Sequence, residues 1–511
     1  MIEMDEMKGR GKRGLLRVVF GRTMFFLLFI ALQLAFFFWI YVWLDNKYQA
    51  WGYGSFALIS AILTIHILNE KQNASFKMAW LIPVLLFPVF GTLFYVFVQL
   101  QMETKIFAKR IAEVQKRTDH FLEQDTAVYE RLSRRSRRNA NLSLYMKKSG
   151  GYPTWDRTNF KYFPLGDEFY TDVLQELQKA RRYIFVEYFI ISKGILWDSI
   201  LKILEQKAKE GVEVRILYDG MNSFSNLPHD YPKELEAKGI RCRIFNPIRP
   251  AISTSQNNRD HRKILVIDGH TAYTGGVNLA DEYINRKVRF GHWKDNAIRL
   301  KGEAVRNFTV MFLQMWDVCS KKPDSDFDYS PYLDTGDYFH SPELDMDGFS
   351  IPFSDSPIDG EPVGHQLYLD IIYQAKKYVY IMTPYLVLDD DMITALTYAA
   401  KRGVDTVIIM PHIPDKKSAF MLAHSYYTEL IEAGVKIYEY LPGFVHSKTF
   451  VSDGEKAVVG SVNMDFRSQY LNFECGVYIY ENPVVEQIKK DFDETLPKCV
   501  RMTEESVEAL P

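Results

Sequence analysis

Three long apolar runs dominate the first hundred residues of the chain. They cover residues 23–44, 51–68 and 79–100, and the first reads TMFFLLFIALQLAFFFWIYVWL. A helix of about 18–22 residues is about 27–33 Å long, which matches a bilayer hydrocarbon core of about 30 Å. None of the runs has a polar face, so a helix buried in a soluble protein is a poor alternative. The pattern predicts a membrane region over residues 23–100 with two to three hydrophobic spans.

Basic residues flank this region on both sides. Residues 1–22 form a basic N-terminal segment, and residues 101–150 form a basic amphipathic connector that contains RLSRRSRR. The positive-inside rule favours the cytoplasmic side for both segments, and three spans cannot satisfy both. Pro83 and Pro88 in the third run, and the glycines in the second, make those two runs the candidates for a re-entrant or interfacial segment. Two roles of the basic connector stay equally open. Its basic residues could contact anionic lipid headgroups, or they could form a helix face exposed to water.

From residue 151 onward the apolar pattern changes to that of alternating helices and strands, and it occurs twice. The stretch AKEGVEVRILYDG at 208–220 is echoed by AKRGVDTVIIMPH at 400–412, and ELEAKGIRCRIFNP at 234–247 by ELIEAGVKIYEYLP at 429–442. Each echo is a helical stretch, a glycine stop and a strand rich in Val, Ile and Tyr. The predicted fold class is α/β, with two tandem domains over 151–330 and 331–511 related by a pseudo-twofold axis.

The composition limits the size and the class of the protein, but it does not indicate a function. With 511 residues, of which 47% are hydrophobic and 14% aromatic, the chain can fill more than two ordinary domain cores. Its four cysteines lack metal-ligand spacing, which favours idle thiols in a reducing compartment over a zinc site. The formal net charge of −2 does not indicate a class of partner.

One motif appears once in each half. It reads HRKILVIDGHTAYTGGVN at 261–278 and HSKTFVSDGEKAVVGSVN at 446–463. Both copies predict a strand that ends in Asp-Gly, a strong hairpin turn signal. His and Lys lie two residues apart, so they project to the same face of the strand. The Asp has the opposite parity and lies roughly 23 Å from the His along an extended strand, so we expect no contact within one motif.

The repeated residue types fit chemistry at phosphorus. A neutral histidine is a competent nucleophile, and a second, protonated histidine can donate to the leaving oxygen. Lys263 and Lys448 would stabilise negative charge in the transition state, with Asn278 and Asn463 as neutral donors. Two lysines already neutralise a phosphate, so we expect no metal and no cofactor.

Each histidine also needs a carboxylate on its far ring nitrogen, which fixes the tautomer and stabilises the imidazolium. The motif aspartates are poorly placed for this. Asp295 and Glu474 each begin a β-rich stretch that can return beside a motif strand, and we predict them for this role.

The two motifs resemble the signature HxKxxxxDxxxxxxGSxN of the phospholipase D superfamily. The resemblance implies a catalytic set of His261, Lys263, Asp268, His446, Lys448 and Asp453, with Ser461 as a supporting residue. Gly276 departs from the signature, which has Ser at that position. The second copy keeps this residue as Ser461. Within the superfamily the chain is similar to bacterial cardiolipin synthases, through AWLIPVLLFPVFGTLFY, TGGVNLADEY and NMDFRSQYLNFE.

That resemblance implies phosphatidyl transfer between two phosphatidylglycerol molecules, which gives cardiolipin and glycerol through a phosphohistidine. His261 would be the nucleophile and His446 the general acid and base. It also implies phospholipid partners, no nucleic acid, and an integral multi-pass protein of the bacterial plasma membrane with cytoplasmic catalytic domains. A phospholipase D-type hydrolase, another phosphatidyltransferase and a non-catalytic membrane scaffold stay open as alternatives.

Overall fold

A computed structural model describes residues 22–508, apart from 44–45, 72, 100–101, 223–225, 249–256, 321, 323–325, 337 and 339–346. Apart from Arg22, the predicted basic N-terminal segment lies outside the described residues. The chain divides into two compact units, Met1–Met102 and Glu103–Pro511. Residues 103–150, predicted as a connector, therefore belong to the same unit as the two α/β halves.

The described part of the first unit is helical. Its helices are α1 (Arg22–Trp43), α2 (Asn46–Asn69), α3 (Ala74–Leu86) and α4 (Phe90–Gln99). The Ser60 hydroxyl donates to the carbonyl of Val84 and joins α2 to α3. A small core forms around Ile67, Val84 and Tyr95. Over the described residues, no helix combines the length and the apolar character needed to cross a membrane.

The second unit begins with three helices that precede the sheets. They are α5 (Met102–Thr118), α6 (Thr126–Arg135) and α7 (Arg137–Tyr145), with a short 3₁₀ turn at Asp119–Leu122 and a π turn at Met146–Gly150. The side chains of Asp125 and Ser136 accept amide N–H bonds at the starts of α6 and α7. These caps satisfy amide groups of the first turn of each helix, which have no partner within the helix.

The first half contains a seven-stranded sheet in the order β1-β9-β7-β6-β2-β3-β4. Its strands are β1 (Thr158–Phe163), β2 (Tyr183–Tyr188), β3 (Glu213–Asp219), β4 (Arg241–Phe245), β6 (Lys263–Ile267), β7 (Thr271–Gly275) and β9 (Ala297–Gly302). Strands β2, β3 and β4 are parallel, and β6 and β7 form the predicted hairpin. The helices are α8 (Gly166–Gln178), α9 (Ile195–Lys209), α10 (Tyr231–Glu236), α11 (Val305–Val318) and α12 (Ser330–Leu333).

The second half repeats this sheet in the order β10-β19-β17-β16-β11-β13-β14-β20. Its strands are β10 (Phe349–Asp355), β11 (Tyr378–Met382), β13 (Asp405–Pro411), β14 (Lys436–Tyr440), β16 (Thr449–Ser452), β17 (Lys456–Gly460), β19 (Asn472–Tyr480) and β20 (Cys499–Arg501). The helices are α13 (Val363–Gln374), α14 (Asp390–Lys401), α15 (Lys417–Glu432), α16 (Phe466–Tyr470), α17 (Val484–Thr495) and α18 (Glu504–Glu508). Because β17-β16-β11-β13-β14 matches β7-β6-β2-β3-β4, the predicted α/β repeat is confirmed.

Two short strand pairs join the halves. Strand β5 (Arg259–Asp260) of the first half pairs in parallel with β19, and β15 (Gly443–Val445) of the second pairs in parallel with β8 (His292–Lys294). A further pair, β12 (Leu386–Val387) with β18 (Met464–Asp465), lies within the second half. The two motif histidines directly follow β5 and β15, so the joints between the halves also fix the motifs.

Candidate active site

Each motif histidine contacts a carboxylate that belongs to the other half. His261 Nδ1 lies 2.8 Å from Glu474 Oε2, and His446 Nδ1 lies 2.6 Å from Asp295 Oδ2. Glu474 follows the two residues of β19 that pair with β5, and Asp295 directly follows β8. The strand pairs between the halves therefore place each imidazole next to its carboxylate.

The backbone of each histidine is held across the same joint. The His261 amide donates to the carbonyl of Phe473 at 2.9 Å, and the His446 amide donates to the carbonyl of Lys294 at 2.7 Å. The alternation of the motif predicted that His and Lys project from one strand, whereas both histidines lie just before their hairpin strands. A free hairpin would leave them mobile, whereas the pairing with the other half fixes their positions.

Both motif lysines are buried within this cluster. Lys263 donates to the carbonyl of His261, and Lys448 donates to the carbonyl of His446, with its ammonium 2.8 Å from His446 Nδ1. The charge of Lys448 acts on His261, and the charge of Lys263 acts on His446. The two motifs thus form one site of two histidines, two lysines and two carboxylates.

Burial and neighbouring charge shift the titration of these groups. Burial lowers the pKa of His261 to about 4, and burial together with Lys448 lowers the pKa of His446 to about 3. Burial also lowers the pKa of Lys263 to about 8 and that of Lys448 to about 7. In the free site both imidazoles are therefore neutral near pH 7, which differs from the expectation of one histidine held protonated.

The two carboxylates stay ionised. Burial alone would raise the pKa of Asp295, yet the contact with His446 and the charge of Lys448 hold it below its usual value. Burial likewise opposes ionisation of Glu474, and contact with His261 lowers the pKa of that carboxyl. An ionised carboxylate only accepts hydrogen bonds, so each histidine carries its proton on Nδ1 and leaves Nε2 as a base.

The motif aspartates lie elsewhere, which corrects the catalytic set that the signature implied. The Asp268 carboxylate accepts N–H bonds of 2.8–2.9 Å from Arg181, Arg182 and Tyr183, where β2 begins. Asp453 accepts N–H bonds of 2.7–3.0 Å from residues 376–378 at the start of β11. Both residues hold a hairpin turn against the neighbouring strand, as the strand geometry predicted, and they do not contact the histidines.

The motif asparagines have structural partners. Asn278 Oδ1 accepts from the Ile190 amide at 3.1 Å, and its Nδ2 donates to the Tyr283 hydroxyl at 2.8 Å. The backbone amide of Asn463 donates to the Ser468 hydroxyl at 2.8 Å. Both polar atoms of the Asn278 side chain thus have partners within the protein, and the role of the two asparagines as donors to a phosphate stays a prediction.

The difference between Gly276 and Ser461 has a steric cause. A Cβ at position 276 would clash with Asp295 Oδ1. The Ser461 hydroxyl instead donates to Glu474 Oε2 and accepts the Cys475 amide at 3.0 Å. The first half therefore leaves room for the Asp295 carboxylate, and the second adds a donor to Glu474.

Two known protein families match parts of the sequence. The sequence model of the family "Cardiolipin synthase, PLD-like domain" matches residues 173–316 and 368–496, together more than half of the chain. The chain belongs to the cardiolipin synthase family. A second family, "Phospholipase_D-nuclease N-terminal", matches residues 58–99.

Individual relatives extend the match along the chain. A cardiolipin synthase of Alkalihalophilus pseudofirmus is 35% identical over 458 residues, which cover 87% of this chain and 88% of that protein. A cardiolipin synthase of Geobacillus kaustophilus is 35% identical over 443 residues, 86% of each chain. A Streptococcus mutans protein described as uncharacterized is 47% identical over 444 residues, 87% of this chain and 95% of that one. The predicted enzyme class, phosphatidyltransferase, is confirmed.

A solved structure shows the same fold. The crystal structure of phosphatidylserine synthase from Haemophilus influenzae superposes with a TM-score of 0.52 at 15% identity, and the alignment covers 67% of this chain and 87% of that one. At this identity the likeness supports the fold alone.

Several residues of this cardiolipin synthase family site were missed from the sequence. Ser468 donates to Glu474 Oε1, and Asn472 Nδ2 lies 3.3 Å from the same oxygen. The rings of Tyr283 and Trp293 lie 5.4 and 5.6 Å from the His446 ring. No periodicity or spacing marks these residues, although all of them lie within about 20 residues of a motif.

Other clusters of titratable side chains lie outside the site. His412 and His424 share the buried Glu439, and His365 contacts Asp389. In the part of the chain that the structure describes, no group of three or more His, Cys, Asp or Glu side chains is arranged to hold a metal ion. The four cysteines are all free.

Proposed function

We propose that the protein is a cardiolipin synthase that transfers a phosphatidyl group from one phosphatidylglycerol molecule to another and releases glycerol. The observation that carries the proposal is the pair of buried histidines, each completed by a carboxylate of the other half, in a chain of the cardiolipin synthase family. One histidine can form a covalent intermediate while the other moves the proton.

In the first step His261 Nε2 attacks phosphorus. The new P–N bond forms as the bond between phosphorus and the glycerol oxygen breaks, and His446 gives its Nε2 proton to that oxygen. Glu474 accepts from Nδ1–H of His261 and stabilises the positive charge that develops on the ring. Lys263 and Lys448 stabilise the charge on the phosphoryl oxygens.

His446 must first acquire the proton that it donates. Near neutral pH the free site holds it deprotonated, because burial and Lys448 lower its pKa. A phosphodiester anion that enters the cluster raises the pKa of both imidazoles, since an opposite charge nearby favours their protonated form. Substrate binding therefore favours protonation of His446, which can then act as the general acid.

In the second step the hydroxyl of another phosphatidylglycerol loses its proton to His446 and attacks the phosphohistidine. The P–N bond breaks, cardiolipin leaves and His261 is free again. The assignment of His261 as nucleophile follows the order usual among related enzymes. Trapping the phosphoenzyme and mapping the labelled histidine tests it, and label on His446 would contradict it.

The full-length purified enzyme supplied with phosphatidylglycerol tests the function itself. We expect cardiolipin and glycerol in equal amounts, and loss of both in His261→Ala and His446→Ala variants. His229→Ala, in which a fully exposed histidine is removed, is the matched control. Phosphatidic acid as the sole product would indicate a hydrolase, and undiminished synthesis by the double histidine variant would indicate that the chemistry occurs elsewhere.

A chelator tests the expectation of metal-independent chemistry. The two motif lysines supply the positive charge that a metal would otherwise provide. We expect the rate of cardiolipin formation to be unchanged after treatment with EDTA and desalting. A loss that a divalent cation restores would contradict the expectation.

Attachment to the bacterial plasma membrane also belongs to the proposal. The first unit exposes many large apolar side chains, among them Leu34, Phe38, Tyr41, Ile62 and Leu86, which are unfavourable in water. Phospholipid substrates reside in the same bilayer. We propose that residues 23–100 anchor the protein through two to three spans, with the catalytic unit on the cytoplasmic side.

A further inference from the structure

The catalytic cluster lies at one edge of both sheets. In the second half β11, β13 and β14 run parallel, and Met382, the last residue of β11, pairs with Thr449 just after the motif Lys448. In the first half Tyr188, the last residue of β2, pairs with Lys263. Parallel strands carry their functional loops at their carboxyl ends. The loops after these strands therefore surround the catalytic cluster.

These loops, the loop between Tyr283 and Trp293 and the first turns of α15 expose large apolar side chains, which we call the catalytic rim. Met221 lies two residues after the end of β3, and Ile413 lies two residues after the end of β13, so the two halves expose equivalent positions. Val288 and Met421 are the most exposed, at 83% and 65%. The catalytic rim comprises Met221, Ile248, Val288, Ile413, Met421 and Leu441.

Part of the rim connects directly to the His446 side of the site. Val288 lies in the loop between Tyr283 and Trp293, whose rings both lie next to His446. At its far end the loop approaches the other half closely, because a Cβ at Gly291 would meet the Ile413 side chain at 3.3 Å. The loop that carries Val288 in the first half thus reaches Ile413 of the second half.

The chain segments that carry the rim residues of the second half are joined by Glu439. Glu439, at the penultimate position of β14, accepts from His412 at 2.8 Å and from His424 at 3.1 Å. His412 precedes Ile413, and His424 lies one turn of α15 after Met421. Leu441 follows β14. Glu439 therefore connects three chain segments that carry rim residues.

Exposed basic residues accompany the apolar ones. Arg286 and Lys287 directly precede Val288, and Lys416 and Lys417 lie at the start of α15. Lys417 and Met421 are four residues apart, so they share one face of that helix. Positive charge around apolar side chains complements an anionic lipid surface. A second copy of the chain docked on a twofold axis would instead bring the basic groups together.

We propose that the catalytic rim docks on the anionic bilayer surface, inserts its apolar side chains among the lipids and so turns the mouth of the site toward its substrates. The proposal deepens the proposed function and rests on it, because it requires substrates that reside in the bilayer. It assigns membrane contact to the catalytic unit itself, in addition to the N-terminal unit.

Quenching by brominated lipid chains tests the contact. Val288→Cys and Met421→Cys variants of the full chain carry an environment-sensitive dye and are reconstituted in phosphatidylcholine vesicles that contain phosphatidic acid, an anionic lipid that is not the proposed substrate. Tyr398→Cys is the matched control, because this exposed residue lies near the end of α14, toward the opposite edge of the sheet. The protein without an added cysteine is treated with the same dye, and its fluorescence measures how much dye the native cysteines take up.

We expect brominated chains to quench the dye at positions 288 and 421 at least about twofold more than at 398, since interfacial apolar side chains reach the acyl boundary. Removal of phosphatidic acid should reduce this quenching. Equal quenching at all three positions, or quenching that is undiminished in pure phosphatidylcholine, would overturn the proposal.

Activity separates docking from catalysis. Val288→Asp combined with Met421→Asp should lower cardiolipin formation from phosphatidylglycerol in vesicles about tenfold more than formation from monomeric short-chain phosphatidylglycerol. Tyr398→Asp should change neither rate. Equal losses on both substrates, or no loss in vesicles, would overturn the docking proposal. Absence of cardiolipin with the wild-type enzyme would instead overturn the proposed function, and the quenching experiment would still stand.

Discussion

At the scale of single residues, the proposed chemistry depends on two carboxylates, each of which comes from the half opposite to its histidine. Asp295 and Glu474 each accept Nδ1–H of a histidine, and in the proposed steps they stabilise the positive charge that this ring develops. Neither carboxylate reaches substrate in the proposed steps, so both act through the histidine that they contact.

Replacement of Asp295 by asparagine tests this dependence. Asn cannot stabilise the imidazolium of His446, and we expect kcat for cardiolipin formation to fall about 10²–10⁴-fold, the usual contribution of general acid-base catalysis. Asp389→Asn is the matched control, because it alters another buried His–Asp contact, that with His365. Steady-state kinetics would contradict the prediction if both variants lost activity equally.

The dependence of kcat/KM on pH follows from the buried titrations. As pH falls through the His261 pKa of about 4, the nucleophile becomes protonated and activity is lost. As pH rises through the Lys448 pKa of about 7 and the Lys263 pKa of about 8, the positive charge that stabilises the transition state is lost. We expect an optimum between these limits. An acid limb near 6.5, the unperturbed histidine value, would contradict the burial effect.

At the scale of elements, the motif hairpins are positioned by their turns. Asp268 and Asp453 have φ values of 52° and 56°, and the glycines that follow have 74° and 71°. Two consecutive residues with positive φ form the tight turn that suits antiparallel strands, and Asp-Gly tolerates it. The turn then presents the Asp carboxylate to three amides of the preceding loop and strand.

Substitution of Asp453 by alanine should therefore reduce stability more than it reduces chemistry. Loss of a carboxylate that accepts three backbone N–H bonds should lower the free energy of unfolding by about 1–3 kcal/mol. Denaturant unfolding monitored alongside kcat measures both effects. A variant of unchanged stability with a hundredfold lower kcat would contradict the structural role.

Much of the fold follows from the sequence, whereas the contacts within the site follow only in part. Helix and strand periods, glycine stops and Asp-Gly turns are local signals, and they predicted the repeated sheet and both hairpins. The contact of His261 with Glu474 joins residues 213 positions apart, and no local signal carries such a distance. The contacts of Asn278 could not be predicted either. Its side-chain amide binds Ile190 and Tyr283, and these contacts arise from tertiary packing that the motif does not encode.

At the scale of the whole molecule, the proposed membrane attachment rests on the first unit. If residues 23–100 cross the bilayer, alkaline carbonate should leave the protein in the membrane pellet, whereas detergent should extract it, because burial of apolar side chains is independent of charge. Sedimentation followed by immunoblotting measures both fractions. Release by carbonate would show that attachment is peripheral.

The crossed contacts between β5 and β19 and between β15 and β8 also bear on how such a chain could arise. A protein with one half only would hold a histidine without its carboxylate, and it could complete a site only with a second copy of itself. Gene duplication and fusion would turn that symmetric dimer into a monomer whose two imidazoles were free to diverge. The glycine at 276 and the serine at 461 would then be one difference that arose after the fusion.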